Sequence, residues 1–248
     1  MTAAERLFAE RGLASVSARQ ISEAAGQGNT AAVGYHFGTK TGLIHAIIRR
    51  HTQDIEKIRS RMADTVLSGG AVLSAGAVLS GDSVLSGDSV LSGDSDLSGG
   101  TGGDASLRDW VSCMVRPSAE HLAALGAPTW FARFAVQVLA DPELRPLLLK
   151  ETFATPAIRQ ILKGRDESMS GLPARVRAER DDMALALILH VVAQHERVLA
   201  DAAGTDCPDP DEHVSWHDAA TGLIDALVGL YQAPVTPVQK GKSRESHR

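Results

Sequence analysis

A short stretch near the N-terminus concentrates side chains that can hold a phosphate group or read the edge of a base. Thr30 and Tyr35 carry hydroxyl groups, His36 an imidazole and Lys40 an ammonium group. Such groups, together with free backbone N–H groups at a helix start, bind phosphate oxygens and base edges. Taken one at a time, each residue could also be a solvated surface side chain. Their combination within one stretch predicts a contact with nucleic acid.

Helix start and stop signals around this stretch predict a frame that positions it. A first helix ends at Gly12, and Ser17 is typical of the N-cap of a second helix. A polar, glycine-containing turn at 26–29 then precedes a third, short helix that begins near Thr30. Thr39 is a suitable N-cap for a long fourth helix.

Residues 18–37 therefore predict a helix-turn-helix, in which the third helix lies in a DNA groove. Ala31 and Gly34 keep the outer face of that helix slim, whereas Val33 and Phe37 are expected to face inward. The candidate DNA-binding residues are Ser17, Thr30, Ala31, Gly34, Tyr35, His36 and Lys40.

This segment resembles the N-terminal domain of the TetR family of repressors, over about residues 3–50. The family pattern is F-x(3)-G, a Thr or Ser, an Ala-Gly end to the second helix, and Y-x-H-F-x(2)-K-x(2)-L. The segment YHFGTKTGL matches the last part closely, with the tyrosine directly before the histidine. The matching residues are Phe8, Gly12, Ser17, Ile21, Ala25, Gly26, Tyr35, His36, Phe37, Lys40 and Leu43. The resemblance implies contacts with double-stranded DNA, a homodimer on a palindromic operator, and control by a small-molecule effector.

The rest of the chain divides into three parts. The DNA-binding domain is expected over 1–50, and its fourth helix continues to about residue 62. Residues 67–100 form a six-residue repeat of Leu, Ser, Gly, Asp and Val, which predicts a low-complexity linker; a hexapeptide β-helix is the alternative. Residues 104–232 return to helical patterning, and 233–248 form a polar tail that is expected to be disordered.

Composition favours an all-α fold with two domains. Hydrophobic residues make up 44% of the chain and aromatic residues only 4%. Residues 1–62 carry a net charge of +4 and the remainder −9, as expected of a small nucleic-acid module on a body that does not bind DNA. Cys113 and Cys207 form no metal-ligand pattern, and neither a metal nor a cofactor is expected. The sequence shows no signal peptide or continuous apolar span, so a cytoplasmic protein without a membrane partner is expected.

The helical part, 104–232, is predicted to bind a ligand and to form the dimer. Helices are expected near 104–125, 127–140, 142–151, 155–169, 173–203 and 214–231. An apolar pocket is one interpretation of the aromatic and polar residues there, and ordinary core packing is the other. The candidate pocket residues are Trp110, Met114, His121, Trp130, Phe134, Phe153, His190 and Gln194. The last two helices resemble the dimer-forming pair of the family, and their candidate interface residues are Leu187, Val191, Val198, Leu223, Ala226 and Leu230.

The sequence thus predicts a repressor that a small molecule releases from a palindromic operator. The alternative is a helical ligand-binding or scaffold protein with a vestigial DNA-binding domain, which the short segment before the first helix and the repeat would suggest. An enzyme is not expected, since no catalytic constellation stands out.

Overall fold

The protein is described by a computed structural model that covers residues 1–26, 32–69, 105–203 and 215–236. Within these ranges it consists of ten helices and no strand. The helices are α1 Thr2–Arg11, α2 Ala18–Ala24, α3 Ala32–Phe37, α4 Lys40–Leu67, α5 Leu107–Leu125, α6 Phe131–Ala140, α7 Arg145–Phe153, α8 Pro156–Ser168, α9 Ala174–Ala202 and α10 Trp216–Gln232. The predicted all-α fold is confirmed.

The first three helices pack on the N-terminal half of α4. Their apolar residues form one buried cluster with it, in which Phe8, Ile21, Val33 and Ile47 are each at most 5% exposed. The elements begin and end where the local signals predict. Ser17 caps α2 in a reciprocal capping box, in which its side chain accepts from the N–H of Gln20 and the Gln20 side chain accepts from the N–H of Ser17.

Helix α4 is longer than the sequence predicts. It was expected to end near residue 62, but it continues to Leu67. Ala63 and Val66 in its last turns are buried against Trp110 and Ile161, so tertiary packing extends the helix. Along its length α4 also packs against α5, α7 and α8.

The C-terminal domain is arranged around α5, which packs against α4, α8 and α10. Trp110 lies flat against α8 where Gly164 leaves room, since a Cβ at Gly164 would lie 2.4 Å from the indole ring. Three predicted helix starts were too early: α5 begins at Leu107 rather than 104, α6 at Phe131 rather than 127, and α7 at Arg145 rather than 142. Before α7, the carboxylate of Asp141 accepts from the N–H groups of two following residues and forms a turn there.

Helix α9 is long and apolar enough, by length and composition, to cross a membrane, but only 22% of its apolar window is buried within the protomer. One such helix is weak evidence for a membrane span. The predicted linker over 67–100 and the predicted disordered tail over 233–248 can be compared with the structure only at their first residues. Residues 70–104 and 237–248 lie outside the described residues.

Candidate nucleic-acid interface

Helix α3 presents an exposed face at one end of the molecule. Tyr35 is 84% exposed, and the neighbouring Gly34 and His36 are exposed too. The rings of Tyr35 and His36 meet edge to face with centroids 5.0 Å apart. A Cβ added at Gly34 would meet nothing within 4 Å, so this face can approach another surface closely. An aromatic side chain so exposed has no packing role within the protomer.

The opposite face of α3 fixes the helix on its neighbours, as the sequence predicts. Val33 is buried, and Phe37 is half-buried against the same core. A left-handed Gly38 with φ +71° turns the chain into α4, whose N-cap Thr39 accepts from the N–H of Gly42. A Cβ at Gly42 would lie 2.1 Å from the carbonyl oxygen of Phe37. The joint between α3 and α4 therefore requires a glycine there, which sequence reasoning did not single out.

Lys40 has an internal role in addition to the predicted one. Its Nζ donates to the carbonyl oxygen of Leu13 and lies 5.7 Å from the centroid of the Phe8 ring. The side chain is half-buried and ties the loop after α1 to the start of α4. Ser17 is exposed at the N-terminus of α2. Thr30 and Ala31, the other predicted contacts, lie outside the described residues.

A buried chain of three titratable groups joins the N-terminal domain to the core. The carboxylate of Glu5 in α1 lies 3.1 Å from Nε2 of His51 in α4, whose Nδ1 lies 2.8 Å from Nε2 of His121 in α5. All three residues are at most 6% exposed. Burial, followed by the nearby His51, lowers the pKa of His121 to about 4. His121, predicted as a pocket residue, is therefore a neutral link between three helices.

Helix α6 makes a second connection between the two domains. The side-chain amide of Gln137 donates to the Phe8 carbonyl at 2.8 Å and accepts from the N–H of Leu13 at 3.0 Å. The rings of Phe8 and Phe134 stack with centroids 5.8 Å apart. At the other end of α6, the buried carboxylate of Glu196 in α9 accepts from the first backbone N–H groups of the helix at 3.0–3.1 Å. Sequence reasoning missed both polar residues.

An apolar cavity of about 160 Å³ is enclosed by α4 on one side and by the helices α5 to α10 on the others. Two of the predicted pocket residues, Met114 and Phe153, line it. The other six candidates do not line this cavity. Four of them lie elsewhere in the protomer, and two lie on the outer face of α9. The former are Trp110, His121, Trp130 and Phe134, and the latter are His190 and Gln194. Which side of a helix faces a cavity depends on tertiary packing, which residue spacing alone does not predict.

Charged and hydroxyl groups occupy one part of the cavity wall. Arg165 is buried, forms ion pairs with Asp166 and Asp181 at 2.7 Å, and donates to the Tyr231 hydroxyl at 3.1 Å. Burial raises the pKa of Tyr231. Arg59 of α4 is 6% exposed and also lines the wall. Burial lowers the pKa of its guanidinium.

The predicted dimer residues fall on two different sides of α9 and α10. Leu187 and Val198 are 38% and 43% exposed, and Met183 on the same face is 54% exposed. Ala226 is exposed, whereas Val191 and Leu230 are half-buried. Leu223 is 4% exposed and belongs to the core of the protomer, because that side of α10 packs on α5.

A family model described as bacterial regulatory proteins, tetR family, matches residues 1–47, which span α1 to α3 and the first turns of α4. No curated protein matches the chain.

Proposed function

The chain belongs to the TetR family of bacterial regulatory proteins and is a DNA-binding transcriptional regulator, and from this premise we propose that it is a cytoplasmic, dimeric repressor released from a palindromic operator by a small molecule. The observation that carries the proposal is the exposed face of α3 within the segment that the family model matches. Tyr35 is 84% exposed and contacts the neighbouring His36 ring, and a DNA groove would bury it.

In the proposed complex, α3 is the reading helix. Gly34 lets the helix approach the base edges, and Tyr35 and His36 donate hydrogen bonds to phosphates or bases. The backbone and hydroxyl of Thr30 are proposed to bind a phosphate at the start of the helix. Lys40 holds the loop after α1 in place and contributes positive charge beside the flanking DNA backbone.

Fluorescence anisotropy on DNA fragments from upstream of the gene tests this role. Tyr35→Ala is expected to weaken operator binding about 5- to 150-fold, since a good contact to DNA contributes about 1–3 kcal/mol. Binding should fall steeply with salt concentration. Lys163→Ala, on the exposed face of α8, is the matched control and should bind as the wild type does. Wild-type affinity in Tyr35→Ala would refute the assignment, and the absence of any operator would favour the ligand-binding or scaffold alternative.

The exposed apolar face of α9 supports the proposed homodimer. Met183, Leu187 and Val198 follow each other at helical spacing on one side of this helix. Ala226 of α10 offers a small side chain, as close packing of two such pairs in a four-helix bundle requires. A two-fold axis through this bundle would set two reading helices about one DNA turn apart.

Analytical ultracentrifugation tests the dimer. Leu187→Glu is expected to give a monomer, because it places charge in an apolar interface, and to lose operator affinity with it. Leu125→Glu, at an equally exposed leucine at the end of α5, is the control and should remain a dimer. A Leu187→Glu protein that sediments as a dimer would contradict the assignment of this face.

The cavity beside α4 supports release by a small molecule. Thr52, Ile55 and Arg59 of α4 line it, and the same helix begins directly after the reading helix. A ligand that binds one position of α4 better than another shifts the balance between them and changes the spacing of the two reading helices. Operator binding with and without candidate effectors tests this step.

A further inference from the structure

The wall of the cavity contains a buried hydrogen-bond donor that no described residue satisfies. Arg59 lines the cavity and is 6% exposed, and its Nε has no hydrogen-bond partner among the described residues. A buried donor without an acceptor is destabilising, more so in a charged group, so an acceptor is expected at this position. We propose that the cavity binds a small apolar carboxylate, and that its carboxylate accepts hydrogen bonds from Arg59. This rests on the proposed ligand-controlled function and specifies its effector.

The carboxylate nearest to Arg59 is already committed elsewhere. Oε2 of Glu56 lies 3.2 Å from a terminal nitrogen of Arg59, but it also accepts from the Thr155 hydroxyl at 2.7 Å. Its Oε1 accepts from the N–H of Ala157 at 3.0 Å. Glu56 thus caps α8, whose own N-cap side chain makes no such bond. It leaves Arg59 with a single shared ion pair.

The second buried arginine of the cavity wall is different. Arg165 forms ion pairs with both Asp166 and Asp181, and its guanidinium uses Nε and both terminal nitrogens. Asp181 in turn accepts from the Tyr231 hydroxyl at 2.9 Å. This part of the wall is internally satisfied, so the open acceptor position belongs to Arg59. A cationic ligand would meet one carboxylate that is fully bonded and two guanidinium groups.

The remaining lining determines the body of the ligand. It is contributed largely by Ile, Leu, Phe and Met side chains of α4 to α9, including Met114, Phe131 and Leu189. An apolar cavity of about 150 Å³ admits a molecule of the size of benzene. The cavity of about 160 Å³ therefore fits an aromatic ring that carries one carboxylate, such as benzoate.

The position of Arg59 couples such a ligand to α4. A carboxylate that binds Nε of Arg59 shares the guanidinium with Glu56, whose Oε1 accepts from the N–H of Ala157 at the start of α8. Arg59 lies 19 positions after Lys40 on one continuous helix, a distance of about 28 Å along its axis. Movement of this segment of α4 is therefore transmitted toward the reading helix without a break in the helix.

Isothermal titration calorimetry of the full chain without DNA tests the site. The probes are benzoate, the neutral benzyl alcohol and the cationic benzylamine. Benzoate is expected to bind about 10- to 100-fold more tightly than benzyl alcohol, as a charge-assisted hydrogen bond predicts, and benzylamine should not bind. No heat from benzoate up to 10 mM, or equal binding of acid and alcohol, would overturn the proposal.

Two substitutions assign the effect to Arg59. Arg59→Met keeps the length of the side chain and should lose at least 10-fold in benzoate affinity with little change for benzyl alcohol. Arg59→Lys keeps the charge but lacks Nε, and it should also bind benzoate more weakly. Arg61→Met, at an exposed arginine of α4, is the matched control and should bind as the wild type does. Unchanged benzoate affinity in both Arg59 variants would refute the site.

Thermal melts and operator binding separate this proposal from the broader one. A purely structural Arg59 would make Arg59→Met melt at a lower temperature without changing the ratio of acid to alcohol affinity, which would count against a ligand role. Operator release by benzoate, measured by anisotropy, is expected in the wild type and lost in Arg59→Met. If benzoate binds but DNA binding is absent, the ligand site stands and the proposed repressor function fails.

Discussion

The hydrogen bonds between α6 and the DNA-binding domain allow a quantitative prediction, because one side chain makes them. Gln137 donates to the carbonyl of Phe8 and accepts from the N–H of Leu13. Gln137→Ala removes the hydrogen bond to Phe8, of about 1 kcal/mol, and leaves the N–H of Leu13, a buried residue, without its acceptor, at about 1–3 kcal/mol. The free energy of unfolding is therefore expected to fall by about 3 kcal/mol. For a chain of this size, this lowers Tm by about 6–12 °C.

Urea denaturation followed by circular dichroism measures this loss, at one fixed protein concentration because the protein is proposed to dimerise. Hydrogen exchange should accelerate in α1, whose last turn loses the contact to Gln137. Gln160→Ala, on the exposed side of α8, is the control for removing a glutamine side chain. Gln137→Glu keeps an acceptor for Leu13 but places a carboxylate beside the Phe8 carbonyl, so it should also destabilise. If Gln137→Ala is no less stable than Gln160→Ala and hydrogen exchange in α1 is unchanged, the hydrogen bonds of Gln137 do not hold the domains together.

Three further predictions concern pH, packing and thiol reactivity. The pKa of His121 is about 4 in the folded state, below its ordinary value of 6.5. The contribution of His121 to stability should therefore be full above about pH 6.5 and fall toward pH 4. The free energy of unfolding in urea should differ by about 2 kcal/mol between pH 7.5 and pH 5, and by less in His121→Asn. Gly164→Ala would place a Cβ 2.4 Å from the Trp110 indole ring and should lower Tm. Gly34→Ala, where a Cβ meets nothing within 4 Å, should keep Tm and weaken operator binding. Equal Tm values for the two variants would contradict the packing of Trp110 on Gly164. Burial raises the pKa of Cys113 to about 12. In Cys207→Ser protein, which retains Cys113 as its one cysteine, the native thiol should resist iodoacetamide at pH 8 and react only in urea. Fast labelling of the native protein would refute the burial of Cys113.

The DNA-binding domain could be predicted from the sequence because its signals are local. Gly12, Ser17 and Thr39 each act on backbone groups within a few positions, and the structure places helix ends at all three. The same holds for the approximate positions of the later helices. Their first residues were less predictable, since the turn at Asp141 depends on a side chain that bonds to the backbone after it.

The ligand cavity could not be predicted in the same way. His121 and His190 both sit on helices with apolar patterning, yet one is buried against His51 and the other is exposed. The polar residues that connect the domains have partners far away in sequence, 129 positions for Gln137 and Phe8 and 64 for Glu196 and Ala132. Neither spacing nor composition encodes such pairs. They are set by how helices pack, which a single sequence does not reveal.

Within the described residues, α4 contacts the core directly. The contacts include Glu56 on α8, His51 on α5, and Ala63 and Val66 in the last turns of α4. The N-terminal domain is held from a second side by Gln137 of α6. A displacement of α4 against α8 must therefore either carry α1 with it or break the hydrogen bonds between Gln137 of α6 and the N-terminal domain. In the proposed repressor, the second outcome would uncouple the reading helix from the displacement of α4, so Gln137→Ala is expected to reduce operator release by an effector more than operator binding itself.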